Sequence, residues 1–405
     1  MTLRIRDTLS GRVRPVPSRP GRPVALYVCG PTVYAPAHVG HARNYLEFDL
    51  LRRGLEADGR AVHHVMNITD IEDKIVDRAR QLGLSWRALA RREEASFVRD
   101  MDTIGVQPPQ ERPRASDFIG RMVTIGRRLE RTGRVERRGD EWVYVPPHRA
   151  RGRNFPLGGD LASHAVREPH HPFPASDGAR GEFTIWKRQA PPLPSWPSPW
   201  GRGTPGWHLE CYAMAEQLLG IPVDLHGGGR DLIFPHHFAE NEIALALDRT
   251  RFSRVYVHPA FVLQDGRKMA KSTGNLVSIR DAVAAESPGA LRWYLTDRPY
   301  ARRIEWDPAA YAAAGRDYET VRARLGAWVR PGAGGRFGAR DARRLADGVR
   351  ADLSDGFKTD RAIERIRRFA ARLGADPSGR VARGERARAL AALRSIEGRT
   401  GLTLV

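Results

Sequence analysis

At 405 residues and 41% apolar content, the chain can fill two or three domains, and its formal net charge of +20 fits a polyanionic partner or an Arg-rich solvated surface. Two cysteines, Cys29 and Cys211, are too few for a disulfide framework. The amino terminus lacks a secretory h-region and no window reaches the eighteen or so apolar residues of a membrane span, which excludes a secreted scaffold or helical membrane protein and leads us to expect a cytoplasmic chain.

The first elements alternate. Residues 24 to 29, bounded by Pro23 and Gly30, read as a strand, and residues 38 to 57 place Tyr45, Phe48, Leu51 and Leu55 at helical spacing. A second buried strand is predicted over Val62 to Met66. Thr69 or Asp70 is expected to cap a helix beginning at Ile71, and an amphipathic helix follows over residues 86 to 103. Strand, helix, strand, helix in this order predicts an α/β fold with a doubly wound, Rossmann-like parallel sheet, whose first half we place at residues 1–111.

Residues 112–200 break the rhythm and read as an inserted connective region, with a helix near 115–131 and a short strand over 141–145. The stretch 146–180 carries little periodicity. The Pro-rich segment 190–206 is not expected to be regular, yet Trp196 and Trp200 suit an ordered loop packed near a site. The alternation resumes over 201–287, with a helix at 207–219, a strand at 222–225 closed by His226-Gly-Gly-Gly229, a helix near 235–247 and a strand near 254–257. Residues 288–405 read as a helical bundle with a basic face, with helices at 288–297, 308–328, 340–353, 359–373 and 384–397.

Two short stretches carry the chemistry. His38-Val-Gly-His41 opens a helix directly after the first strand, where backbone N–H groups and imidazoles suit a triphosphate. Gly40 lets a flat purine approach the backbone. Downstream, Lys268-Met-Ala-Lys-Ser272 supplies mobile positive charge. Alone, each stretch could equally be a chance histidine pair or a charged turn. Together, on an α/β background, they resemble the class I aminoacyl-tRNA synthetases, whose paired HIGH and KMSKS motifs bind ATP and stabilise the transition state of adenylation.

Cys29, Cys211, His236 and Glu240 could assemble a mixed zinc site, or could be two buried thiols beside a surface His and Glu. The runs Cys29-Gly-Pro-Thr-Val-Tyr34, Asn67-Ile-Thr-Asp-Ile-Glu-Asp-Lys74, Pro205-Gly-Trp-His-Leu-Glu-Cys211, His226-Gly-Gly-Gly-Arg-Asp231 and Phe234-Pro-His-His237 resemble motifs of the cysteinyl-tRNA synthetase family, in its order and near its spacing over about residues 1 to 375. The resemblance implies one zinc ion held by Cys29, Cys211, His236 and a glutamate, which binds the substrate thiolate. It implies a cysteine pocket lined by Gly30, Thr32, Thr69, Trp207 and His208. ATP, with Mg2+, would be held by His38, Gly40, His41, Gly227, Gly229, Asp231, Lys268 and Lys271, of which His38, His41, Lys268 and Lys271 are the catalytic set. Lys187 is placed in the same cleft.

The chain departs from the family pattern at four points. Phe238-Ala239 separate the histidine pair from Glu240-Asn241-Glu242, so helical spacing from His236 selects Glu240 while alignment selects Glu242; we favour Glu240, because i+6 points to another face. Ala270 replaces a serine, residues 152–181 match poorly, and the family's small anticodon-binding domain is absent before Val405. The expected reaction is ATP-dependent activation of L-cysteine and transfer to tRNA(Cys) by a monomer. One alternative is mycothiol-ligase-like transfer to the amine of an amino sugar; another is a degenerate nucleotide- or RNA-binding paralogue.

Overall fold

Strand β3 (Val24–Val28) is buried on both faces, and its side chains alternate between two cores. Val24, Leu26 and Val28 join the core beneath helix α1 (Val39–Ala57), whereas Ala25, Tyr27 and Cys29 face a second core on the opposite side of the sheet. That alternation decides on which side the sulfur of Cys29 appears.

The computed structural model describes residues 2–147, 181–269, 274–330, 332, 335–374 and 379–405, and for Lys268 only the backbone. A short antiparallel pair, β1 (Arg4–Arg6) and β2 (Val13–Pro15), precedes β3. Strands β4 (Val62–Met66), β9 (Val223–Gly227) and β10 (Ser253–Val257) complete a parallel sheet in the order β10-β9-β3-β4. The chain winds from β3 through α1 to β4 on one side, and returns on the other side of β3 as β9. The carboxyl ends of β3 and β9 therefore flank a topological switch point, where open α/β sheets form their binding crevice.

After β4 come α2 (Asp73–Gln81) and α3 (Trp86–Thr103). The expected cap on the first of these is overturned. The helix starts at Asp73 with Glu72 at an N-cap that lacks a side-chain bond, because the Asp70 carboxylate accepts instead from the backbone N–H and hydroxyl of Ser116.

The second core is roofed by α4 (Ile119–Glu130) and by a small antiparallel sheet of β5 (Val135–Arg138), β6 (Glu141–Tyr144), β7 (Phe183–Arg188) and β8 (Gly203–Pro205). The expectation of no regular structure over 190–206 is corrected by β8, an edge strand that ends on Pro205, where a missing N–H costs nothing. Trp200 packs against Gly126, where a Cβ would lie 2.6 Å from the ring, and its indole donates to Glu130. The ordered loop expected there is present. Residues 148–180, including most of the aperiodic stretch, lie outside the described residues.

Next is α5 (Trp207–Leu218), whose inner face places Leu209, Cys211, Tyr212 and Met214 in the second core. The helix expected near 235–247 is present as α6 (Phe238–Asp248), entered through a wide turn, Ile233–His237, with a kink at Phe234. Past β10, strands β11 (Val262–Gln264) and β12 (Arg267–Lys268) form a hairpin, followed by α7 (Ile279–Ala285), α8 (Pro288–Thr296) and β13 (Ile304–Glu305), which pairs with β11. Helices α9 (Pro308–Trp328), α10 (Ala339–Ser354), α11 (Thr359–Gly374) and α12 (Arg386–Thr400) end the chain, close to the expected bounds.

Buried charges join this helical part to the sheet. Arg292 of α8 pairs with Asp49 of α1 at 2.7 Å and also donates to the carbonyls of Thr400 and Gly105. Arg399 of α12 pairs with Asp58, just past the end of α1, at 2.9 Å. Among the described residues, no helix is long and apolar enough to cross a membrane.

Candidate active site

Cys29 leaves β3 on the face that meets α5, and Cys211 lies on the inner side of that helix, so their sulfurs come within 3.7 Å although 182 positions separate them. His236, in the wide turn, brings Nε2 to 3.3 Å from Cys211 Sγ, and Glu240, one helical turn later, lies 3.3 Å from the same nitrogen. All four ligand atoms lie within 4.8 Å of one another and all four residues are buried. A zinc ion with bonds of about 2.3 Å to sulfur and 2.0–2.1 Å to nitrogen and oxygen sits in a tetrahedron whose edges are about 3.3–3.8 Å. The observed spacings meet that requirement, and two thiols, an imidazole and a carboxylate are zinc's usual donors. Glu242 does not join the cluster; it lies near Tyr144, where burial pushes its carboxyl up to about 7.

The electrostatics favour a cation. Burial pushes the Cys211 thiol up, but its hydrogen bond with Cys29 and the facing His236 bring it down to about 6. Burial and the neighbouring Cys211 hold the Cys29 thiol well above its ordinary range. Burial opposes ionisation of Glu240 too, yet His226 and His236 hold its carboxyl at about 2.

A further layer of histidines orients these groups. His236 Nδ1 meets His208 Nδ1 at 3.1 Å, which turns its Nε2 toward the sulfurs, and Trp207 lies over the His236 ring at 4.1 Å between centroids. His226 Nε2 contacts the second oxygen of Glu240 at 2.7 Å, while its Nδ1 faces the carbonyl of Tyr27. His237 Nε2 stands 3.4 Å from Cys29 Sγ and its Nδ1 meets His258 Nε2 at 2.7 Å. Such outer contacts fix ring orientation around a metal. Sequence reasoning missed His226, His237 and His258 as site residues. Their only signal was the density of histidine between positions 226 and 258, and a lone buried histidine has no periodicity to betray it.

Nine residues after Cys29, His38 caps α1. Its Nδ1 accepts from the Gly40 N–H at 3.1 Å, and His41 Nδ1 accepts from the His38 N–H at 3.3 Å. Both Nδ1 atoms being acceptors, each neutral ring carries its proton on Nε2, a donor suited to a phosphate oxygen. The backbone here is laced to the segment that follows the lysine loop: Val39 N–H donates to Val277 and Ile279 N–H to Ala37. Residues 277–279, a few positions past the lysine loop, are thus neighbours of the histidine turn through their backbones. Lys271, with Ala270, Ser272 and Thr273, lies outside the described residues, and Lys268 sits in the β11–β12 hairpin opposite Leu263.

Gly30, Thr32 and Thr69 meet at the ends of β3 and β4, where Thr32 and Thr69 form a backbone bridge. Gly227 ends β9 under Phe48, where a Cβ would stand 2.1 Å from the ring, and at Gly229 a Cβ would lie 2.4 Å from an Asp231 oxygen. Lys187 is half-exposed and lies 3.5 Å from Asp73.

The family model described as "tRNA synthetases class I (C) catalytic domain" matches residues 16–315. The cysteine–tRNA ligase of Anaeromyxobacter dehalogenans strain 2CP-C is 40% identical over 387 residues, spanning 90% of this chain and 76% of that relative. The chain belongs to the cysteine–tRNA ligase family. The cysteine–tRNA ligase of Anaeromyxobacter sp. strain K is 39% identical over the same coverage. Solved structures agree on the fold. Mycobacterium tuberculosis methionyl-tRNA synthetase with methionyl-adenylate superposes with a TM-score of 0.63 at 16% identity, covering 94% of this chain and 89% of that one. LeuRS of Agrobacterium radiobacter K84, in its ternary complex with tRNA and LeuAMS, superposes with 0.65 at 13% identity, over 95% and 84%. The Rossmann-like α/β reading of this cysteine–tRNA ligase family member is therefore the observed one.

Proposed function

We propose that the chain is a cysteine–tRNA ligase, which joins ATP and L-cysteine into cysteinyl-adenylate and passes the cysteinyl group to tRNA(Cys). The observation that carries this reading is the four-donor cluster of Cys29, Cys211, His236 and Glu240 at the carboxyl end of β3, from which the chain runs on into the His38–His41 turn. These four residues would hold a zinc ion, which would supply a soft Lewis acid for the substrate's sulfur that serine lacks, so discrimination would exceed the roughly 1–3 kcal/mol of a shape-only pocket.

The chain's own residues do the rest. Gly30, Thr32, Thr69, Trp207 and His208 orient the amino acid, while Gly40, Gly227, Gly229 and Asp231 seat the adenosine. His38, His41, Lys268 and Lys271 hold the triphosphate with its Mg2+. A carboxylate oxygen of cysteine attacks the α-phosphorus, the bond to the β-phosphate's bridging oxygen breaks, and pyrophosphate leaves with that electron pair. A ribose hydroxyl at the tRNA end then attacks the acyl carbon, AMP leaves, and the hydroxyl proton passes to solvent. Positioning and positive charge at the α-phosphate provide most of the acceleration.

The test is incubation with ATP, cysteine and either total tRNA or glucosaminyl-inositol, followed by mass analysis. Cysteinyl-tRNA is the expected product. An amide on the sugar with no charged tRNA would replace this reading with small-amine transfer, and no cysteine-dependent pyrophosphate exchange would remove the enzymatic reading.

A further inference from the structure

We infer that Asn67 is a positioning residue that ties the sulfur-recognising cluster to the loop that holds the rest of the amino acid. The inference rests on the proposed function and extends it to a residue that touches neither substrate nor metal in that scheme. Asn67 follows β4 and is 1% exposed. Its Oδ1 accepts from the Gly30 N–H at 2.9 Å, which fixes the amide orientation, since only the oxygen can meet that donor. Its Nδ2 then donates to Thr69 Oγ1 at 3.2 Å, and Oδ1 also faces Cys211 Sγ at 3.6 Å. One carboxamide thus touches the turn after β3, the turn after β4 and the thiol presented by α5.

The surrounding backbone leaves Asn67 little freedom. Thr69 N–H donates to Pro31, Val33 N–H donates to Thr69, and Ile68 N–H donates to Pro113. A Cβ on Gly30 would lie 1.5 Å from the Asn67 carbonyl oxygen, so the two turns can approach this closely only with glycine at position 30. With these constraints satisfied, the distance between Cys211 and the Gly30–Thr69 wall is set by the length of one asparagine side chain. Substrate cysteine must bridge the same interval, from its ammonium and carboxylate at the wall to its sulfur at the cluster. Outer groups that orient metal ligands change metal affinity or activity by about 10–100-fold when removed.

The experiment uses the full chain in its zinc-loaded form, and measures cysteine-dependent pyrophosphate exchange with separate KM values for cysteine and ATP. A second arm measures the rate of zinc loss to a chromogenic chelator. Asn67→Ala is expected to raise the cysteine KM about 10–100-fold, to leave the ATP KM within about twofold, and to speed zinc loss about tenfold or more. A parallel rise of both KM values, or an unchanged cysteine KM with unchanged zinc loss, would overturn the inference. Asn67→Asp keeps the shape and the acceptor for Gly30 but sets a carboxylate beside Cys211. If the alanine variant does not fold, this isostere decides, and wild-type values for both quantities would overturn the inference. A wild-type chain without cysteine-dependent exchange would count against the function itself, and zinc loss alone would then judge Asn67.

Discussion

The choice between Glu240 and Glu242 turns on one helical turn. Glu240 lies four residues from His236 and reaches the same nitrogen, whereas Glu242 falls near Tyr144. Glu240→Gln should therefore lose bound zinc in metal analysis of the purified protein, and Glu242→Gln should keep about one ion per chain; the reverse pattern would reassign the fourth ligand. The position of Glu240 was readable from spacing alone, because i and i+4 share a helix face. Its partner His226 was not, being 14 positions away on another element.

At the scale of elements, His64 in β4 makes the fold sensitive to acid. It is buried with neither ring nitrogen hydrogen-bonded, and burial, reinforced by Arg52 and Arg112, lowers its pKa to about 3. The folded state therefore refuses a proton that the unfolded chain accepts near the ordinary 6.5. Stability from this residue is fully present above about pH 6.5 and is lost as pH falls toward 3, at up to about 1.4 kcal/mol per pH unit. Urea midpoints measured from pH 7.5 to 5 should fall less steeply in His64→Leu than in the wild type; equal slopes would exclude His64 as the cause. A second test concerns the junction of α1 and α8. Arg292→Met removes the buried cation from Asp49, leaving the carboxylate with Arg53 and the Gln107 N–H, and should cost up to about 3–5 kcal/mol in the same measurement.

How far these elements could be read in advance depended on their length and on what they pack against. Helices α3 and α9 were legible to the residue, since their apolar stripes run for four turns or more. Strand β5, Val-Glu-Arg-Arg, was not legible, because an exposed edge strand carries no alternation of apolar residues. Strands β11 to β13 are too short for any period to show. Asp70 misled the capping expectation because a tertiary partner, Ser116, outcompeted the local helix N-terminus. In the site, the family resemblance named Cys29, Cys211, His236 and Glu240, which the fold brings together. The supporting shell of Asn67, His226, His237 and His258 emerged only once four separate segments had been brought together.

For the whole molecule, charge is the governing quantity. Residues 288–405 carry 25 Arg and Lys against 14 Asp and Glu, so the helical part holds more than half of the net +20. Arg383, just before α12, and Arg394, on it, are exposed and have no acidic partner among the described residues. Phosphate contacts release counterions and make binding fall with salt. The double substitution Arg383→Glu with Arg394→Glu should raise the tRNA KM and flatten its salt dependence, measured as aminoacylation from about 50 to 200 mM salt, while pyrophosphate exchange stays at the wild-type rate. An unchanged tRNA KM would place the RNA on another face.

The order in which the chain is synthesised gives the arrangement of the sheet a further consequence. The strand bearing Cys29 pairs on one edge with residues 62–66 and on the other with residues 223–227. At about 5–20 residues per second, a ribosome needs roughly ten to thirty seconds to supply the second edge after the first. During that interval the nascent strand presents an open flank with a lone thiol, the condition under which sheets recruit wrong neighbours. A product truncated before residue 211 would hold only Cys29 of the four clustered side chains, so the cluster cannot assemble until synthesis has passed residue 240.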